Sequence, residues 1–168
     1  MYGRGILLSG FVPTRRAGET VIVFAQPLGE GSPRSVATVL TAADGSWRWL
    51  AKPRIRTSYA AQWAGGLSAE SVVGVRPAVA LRRTATGAFS TRVSGARSFA
   101  RRGVQLQRQS ATGRWITIKR VRLNVRSTKL FRATLPRGTS RLRIAMSVNQ
   151  AGAGYLAGFS RTIVVRRA

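Results

Sequence analysis

The sequence predicts an all-β chain that folds as two consecutive antiparallel β-sandwiches, the first of which lacks its opening strand. Three observations predict this class. Apolar and polar residues alternate along short segments, which is the period-two pattern of half-buried strands. Turn residues separate these segments, and no segment keeps a helical period for long. The whole pattern occurs twice along the 168 residues, and a repeat of that length suits a pair of seven-stranded sandwiches.

The first half of the chain contains six candidate strands. A strand over residues 6–11 ends at Pro13, and the β-branched run 20–25 is typical of a strand at the centre of a sheet. The dipeptide Asp44-Gly45 supplies the positive φ of a tight hairpin, so we expect one there. The remaining candidates are 35–41, the strand carrying Trp47 and Trp49, the strand carrying Tyr59, Ala61 and Trp63, and 70–75.

The pattern restarts after Arg76-Pro77, so the predicted domains are 1–76 and 77–168. The candidate strands of the second domain are 78–84, 88–93, 104–109, 115–123, 130–135, 142–148 and 159–165. Around Lys119-Arg120 the apolar residues change from even to odd positions, which predicts a bulge or a turn. The predicted apolar face of 142–148 comprises Leu142, Ile144, Met146 and Val148.

The two halves match each other residue by residue. Val21 and Val23 match Val104 and Leu106 at an offset of 83. Residues 8–10 and 93–95 share Ser-Gly at an offset of 85. Further on, Val73 matches Val165 at 92, which predicts an insertion near residues 149–158 of the second copy.

The first copy has no segment that corresponds to 78–84. We therefore expect either a piece of a longer tandem array or a domain that another chain completes. In both cases the sheet of the first domain has an uncovered edge, which makes this end the less stable one.

The residues needed for the common catalytic routes are missing. The chain has no histidine and no cysteine, so it offers no general base that titrates near neutral pH, no thiolate nucleophile and no His or Cys metal site. Its carboxylates are Glu19, Glu30, Asp44 and Glu70, all in predicted turns or loops of the first domain. A glycosidase-type carboxylate pair among them is conceivable but has no support. We expect no enzymatic activity and no cofactor. No apolar run is long enough for a membrane span or an export signal.

Positive charge dominates the second domain. The chain has a net charge of +25, and residues 77–168 contribute +20 of it without a single acid. Such a charge predicts attraction to a polyanion, either an anionic cell-wall polymer or nucleic acid, although nothing indicates base-specific reading. The alternative is a solvated surface in which arginine is simply the solubilising residue. The candidate polyanion-binding residues are Arg120, Arg122, Arg126, Arg132, Arg141 and Arg143.

The tryptophans support a different hypothesis. Trp47 and Trp49 share one face of a predicted strand and could stack on sugar rings, as in carbohydrate-binding β-sandwiches. The favoured alternative is that the tryptophans pack in or beside the core, because strand tryptophans usually do. Trp115, which follows the turn at Gly113, is expected to anchor the core of the second domain.

These motifs resemble the Ig-like tandem repeats of secreted and cell-surface proteins from high-GC Gram-positive bacteria. The resemblance rests on Ala17-Gly18-Glu19-x-Val21, Asp44-Gly45-Ser46-Trp47, Gly113-Arg114-Trp115-x-Thr117-Ile118 and similar segments along nearly all of the chain. It implies Ig-like or fibronectin-III-like sandwiches in an exported, non-catalytic spacer or adhesive module, with other repeats of a longer parent chain as partners. The two alternatives are a polyanion binder and a carbohydrate binder.

Overall fold

Fifteen strands and one short helix form the regular structure of residues Met1–Arg167, the part of the chain that this computed structural model describes. The strands are β1 (Ile6–Phe11), β2 (Thr20–Pro27), β3 (Arg34–Leu40), β4 (Ser46–Ala51), β5 (Thr57–Trp63), β6 (Gly66–Leu67), β7 (Ser71–Val73), β8 (Ala78–Ala85), β9 (Ala88–Ser94), β10 (Gly103–Gln109), β11 (Trp115–Arg122), β12 (Thr128–Arg132), β13 (Gly138–Met146), β14 (Gly158–Phe159) and β15 (Ile163–Arg167). The helix α1 (Val148–Ala151) is a single turn. The predicted all-β class is confirmed. None of the helical residues within 1–167 form a segment long and apolar enough to cross a membrane.

The first compact unit, Gly3–Val75, has two antiparallel sheets. One sheet has the order β3-β2-β5, with β6 and β7 both pairing with β5, and the other consists of β1 and β4. The alternation along β2 buries Val21, Val23 and Ala25, and the residues between them are half-buried, as a central strand requires. Leu8 of β1 and Tyr59 of β5 pack in the same apolar cluster, so the core lies between the two sheets.

The second unit consists of Met1–Tyr2 and the chain from Arg76 onward. One sheet has the order β11-β10-β13, with β14 and β15 on β13, and the other has the order β12-β9-β8. Its largest buried side chains include Phe89, Leu106, Leu142 and Ile144, none of which has measurable solvent exposure. That each unit is an independent domain, 1–76 and 77–168, stays a prediction.

The internal repeat is visible in the strand pairing. Register between β2 and β3 shifts after Val23, and register between β10 and β11 shifts after Leu106, at the predicted offset of 83. The extra residue is Val36 in β3 and Ile118 in β11, so the predicted bulge lies one residue before Lys119. Both sheets therefore contain the same irregularity at the same place.

The offset of 85 predicted for residues 8–10 is wrong. The amide of Val12 donates to the carbonyl of Gly45 over 3.0 Å, and the amide of Val93 donates to the carbonyl of Ser127 over 3.0 Å. Residue 12 thus corresponds to residue 93, an offset of 81, and Leu8 corresponds to Phe89. The shared Ser-Gly pair misled the alignment because Ser94 is the last residue of β9 and Gly95 follows it, whereas Ser9 and Gly10 both lie within β1.

Two further local predictions are wrong: the hairpin at Asp44-Gly45 and the end of the strand over 142–148. Asp44-Gly45 does form a turn, with Gly45 at φ 76°, but it joins β3 to β4, which belong to different sheets. Asp44 Oδ1 accepts a hydrogen bond from the Ser46 amide, and its hydrogen bonds with Ser46 lower the pKa of this carboxyl. The strand predicted over 142–148 ends at Met146, because Ser147 caps α1 and leaves Val148 exposed on the helix.

The insertion predicted near residues 149–158 is present. Residues 64–65 join β5 to β6 in the first unit, whereas α1 and the segment after it join β13 to β14 in the second. Gln150 of α1 fixes this insertion by accepting a hydrogen bond from the Gly103 amide over 2.6 Å.

The first unit lacks a counterpart of β8, as predicted. In the second unit β9 lies between β12 and β8, whereas β1 pairs with β4 alone among residues 1–167. Phe89 has no exposed surface, but Leu8 at the corresponding position is only half-buried. The free side of β1 therefore borders an incompletely covered core.

Candidate functional site

The six predicted polyanion-binding arginines do not form one patch. Four of them lie on strands that flank β10 in one sheet: Arg120, Arg122, Arg141 and Arg143. Arg132 lies on β12, in the opposite sheet of the second unit. Arg126 lies in the turn between β11 and β12. Sequence spacing cannot assign strands to sheets, which is why the prediction combined residues of both.

Arg143 is held in place by its neighbours on the outer face of the sheet. Its guanidinium carbon lies 4.1 Å from the centre of the Trp115 ring and 4.5 Å from that of the Phe159 ring. Its Nε donates to Oε1 of Gln107 over 2.9 Å. Burial lowers the pKa of this guanidinium. The prediction that Trp115 anchors the core is wrong, because Trp115 lies opposite Gln109 and packs against Arg143 instead.

We expect Arg143→Lys to lower the free energy of unfolding by about 1–2 kcal/mol, because an ammonium cannot stack between two rings. Arg141→Lys is the matched control, since Arg141 lies on the same strand but is exposed, and we expect a change within about 0.5 kcal/mol. Urea denaturation followed by circular dichroism measures both. Equal effects of the two substitutions would contradict the stacking argument.

A second group of cations surrounds the turn at Asn124. One cleft of about 640 Å³ is lined by Arg82, Arg92 and Lys129, and a shallower one of about 510 Å³ is lined by Arg101, Arg122 and Lys129. Asn124 and Lys129 belong to both, so the two depressions adjoin each other. We call the combined surface the Asn124 cleft, formed by Asn124 and five exposed cations: Arg82, Arg92, Arg101, Arg122 and Lys129.

The turn itself is well supported. Oδ1 of Asn124 accepts hydrogen bonds from the amide of Arg126 and from the amide and hydroxyl of Thr128, at 2.9–3.1 Å. Arg122 donates from Nε to the Arg101 carbonyl over 3.1 Å, which holds one cation at the edge of the cleft. The other four guanidinium and ammonium groups have no side-chain carboxylate in their own unit to pair with, since residues 77–168 contain no Asp or Glu.

Sequence reasoning identified only Arg122 among these five cations. The others come from β8, β9, β12 and the segment before β10, and no spacing along the chain brings them together. The sequence signal for the cleft is Asn124, which caps a turn between two sheets as Asp44 does in the first copy. A search centred on the turns between sheets could have found the cleft.

Three of the four carboxylates of the first unit, those of Glu19, Glu30 and Asp44, are engaged in local structure. Glu19 accepts a hydrogen bond from the Thr14 hydroxyl over 2.6 Å, and Glu30 forms an ion pair with Arg34 over 3.5 Å. Within residues 1–167, no three acidic side chains come together in a group that could hold a metal ion.

The predicted sugar-stacking residues have different surroundings. The Trp49 ring packs edge-on against Tyr59, with 6.1 Å between ring centres, in the core of the first unit. Trp47 packs against the same core and also lines an apolar groove of about 590 Å³ beside the free edge of β1. We call this the β1 groove; its main walls are Leu8, Gly10, Val12, Trp47, Trp63 and Leu67. Sugar stacking by Trp47 and Trp49 stays a prediction.

No family model matches the chain, and no curated protein matches it. Among solved structures, the FN1–FN3 domains of chicken CNTN1 are similar to this chain, with 18% sequence identity and a TM-score of 0.34. The similarity covers 99% of this chain and 61% of that structure, so the chain spans about three fifths of its length.

Proposed function

We propose that this chain is a non-catalytic Ig-like binding module of an exported bacterial surface protein, of the kind found in high-GC Gram-positive bacteria. Its second unit binds an anionic polymer, with a phosphate-rich cell-wall polymer as the first candidate. The first unit acts as a spacer within a longer parent chain. The polymer is recognised by its charge, because residues 1–2 and 76–167, the part of the second unit that the structure describes, have neither a recognition helix nor a base-stacking motif.

The observation that carries this proposal is the Asn124 cleft. Five cations line two adjoining depressions on a unit that has no acidic side chain, so no side-chain carboxylate of that unit competes with an incoming phosphate. Guanidinium groups bind phosphate with two parallel hydrogen bonds and keep their charge at every physiological pH. Leu130 and Val125 at the cleft have exposures of 70% and 71%, which gives the cations an apolar border.

The salt dependence of binding tests the proposal. For the wild-type chain, we expect the logarithm of the affinity for wall teichoic acid or long-chain polyphosphate to fall linearly with the logarithm of the salt concentration. The triple substitution Arg82→Gln, Arg92→Gln and Lys129→Gln removes three cations of the cleft. It should weaken binding about tenfold or more. The slope of the logarithm of the affinity against the logarithm of the salt concentration should become less steep by about one for each lost phosphate contact.

The control is a variant of identical net charge. Arg120→Gln, Arg132→Gln and Arg141→Gln remove three exposed cations that lie outside the cleft. We expect this variant to bind nearly as tightly as the wild type in isothermal titration calorimetry. Equal losses in the two variants would show that only the diffuse charge matters, and no binding at low salt would remove the proposal.

A further inference from the structure

We propose that the β1 groove of the first unit accepts an extended strand of a partner polypeptide. The strand pairs antiparallel with the free edge of β1 and takes the place that β8 occupies in the second unit. This inference concerns a different unit and a different ligand from the Asn124 cleft, so it does not depend on the proposed function.

The second unit shows the register of such a strand. There β8 pairs with β9, with Val79 opposite Val93 and Leu81 opposite Thr91. The offset of 81 between β1 and β9 places the corresponding incoming residues opposite Val12 and Gly10. Because Leu81 is buried while Arg82 and Arg83 are exposed, the incoming strand needs apolar residues on one face only.

The space that this strand would fill is open. A Cβ atom at Gly158 of β14 would lie 2.8 Å from Pro77 and 3.1 Å from Val79, the residues that begin the β8 segment. Gly66 occupies the corresponding position in β6, at the offset of 92, and a Cβ atom there would meet only the Trp63 carbonyl at 3.5 Å. The first unit therefore has the glycine against which the strand would pack, but no strand covers it.

Side-chain exposure supports the same conclusion. Met146, at the end of β13, has no exposed surface, whereas Trp63 at the corresponding end of β5 is only half-buried. Leu8 is half-buried where Phe89 is fully buried. The residues that β8 covers in the second unit are thus the residues left uncovered in the first, and covering apolar surface is favourable.

The chemistry of the groove favours a strand over a sugar. Its lining has no charged residue, and its polar side-chain groups are the hydroxyls of Ser9, Ser68, Ser71 and the buried Tyr59 and the indole N–H groups of Trp47 and Trp63. The Ser68 hydroxyl already accepts from the Ala61 amide and donates to the Ala69 carbonyl. A sugar needs several free side-chain partners, whereas an added strand takes its hydrogen bonds from the β1 backbone and specificity from alternate side chains.

The test uses the full chain and a fluorescently labelled peptide with the sequence of residues 77–85. We expect saturable binding by fluorescence anisotropy, and slower hydrogen exchange of the β1 amides Ile6–Phe11 in the complex. A peptide with asparagine in place of its valine and leucine keeps the charge but loses the apolar face, and should bind about a hundredfold more weakly.

Two glycine variants locate the peptide. Gly66→Val places a side chain where the strand would lie and should abolish binding, because no positive φ or nearby atom prevents the substitution itself. Gly31→Val is the matched control at a site with nothing within 4 Å, and should bind as the wild type does. Circular dichroism verifies that both variants are folded.

Three outcomes would overturn the proposal. The first is absence of peptide binding, or equal binding by Gly66→Val and the wild type. The second is concentration-dependent protection of β1 without peptide, which would assign the groove to a second copy of this chain. The third is displacement of the peptide by a soluble peptidoglycan oligosaccharide, which would assign the groove to a carbohydrate.

Discussion

Replacing Phe89 by alanine should lower the free energy of unfolding of the second unit by about 3–5 kcal/mol, the usual cost of truncating a buried aromatic residue. Phe89 has no exposed surface, and its ring stacks on Phe131 with 5.9 Å between ring centres. It also lies between two strands, β12 and β8, which limits how far the neighbours can move to close the resulting cavity.

The repeat provides the control for this experiment. Leu8→Ala removes the corresponding side chain of the first unit, and we expect a loss of only about 1–2 kcal/mol, because part of Leu8 is already in contact with solvent. Urea denaturation followed by circular dichroism, with tryptophan fluorescence as a second probe, measures both losses. A Leu8→Ala loss as large as that of Phe89→Ala would mean that the β1 groove is closed in solution.

Substituting Gly45 by alanine should cost about 2–5 kcal/mol, because a left-handed backbone conformation and a steric clash combine there. Gly45 has φ 76°, and an added Cβ would lie 2.5 Å from the Cα atom of Arg15. Since that atom belongs to the backbone, the clash can be relieved only by moving the loop that precedes β2. Thermal unfolding of the first unit, measured by near-ultraviolet circular dichroism, should detect the loss.

Gly18→Ala separates the two contributions. Gly18 also has φ 76°, but nothing lies within 4 Å of its added Cβ, so only the backbone strain of about 1–2 kcal/mol is expected. If both alanine substitutions destabilise the unit equally, the contact with Arg15 does not constrain this turn.

Strand positions could be predicted from the sequence where the alternation was local and regular. Val21 and Val23 in β2, and Leu142 and Ile144 in β13, are buried as the period-two pattern predicted. The repeat was readable at β2 and β10, because similar side chains recur there at an offset of 83, but the shared Ser-Gly pair misaligned β1 with β9. The pattern failed at Val148, where the alternation continues but the Ser147 cap starts a helical turn.

The candidate site was much less predictable. Its cations come from segments separated by up to 47 positions, from Arg82 to Lys129, and their proximity depends on which strands share a sheet. The placement of Arg132 shows the difficulty, since its spacing from Arg120 is short while the two lie in opposite sheets. The prediction that Trp115 anchors the core failed for a similar reason, because its partner Arg143 is distant in sequence and lies on the outer face of the sheet.

The bulge shared by the two units has a practical consequence. Because Val36 and Ile118 interrupt corresponding strands, the pair β2–β3 and the pair β10–β11 can be aligned residue by residue across the bulge. A side chain moved from one copy to its equivalent in the other therefore meets a comparable backbone. Each of these two strand pairs can therefore serve as the reference for side-chain exchanges into the other.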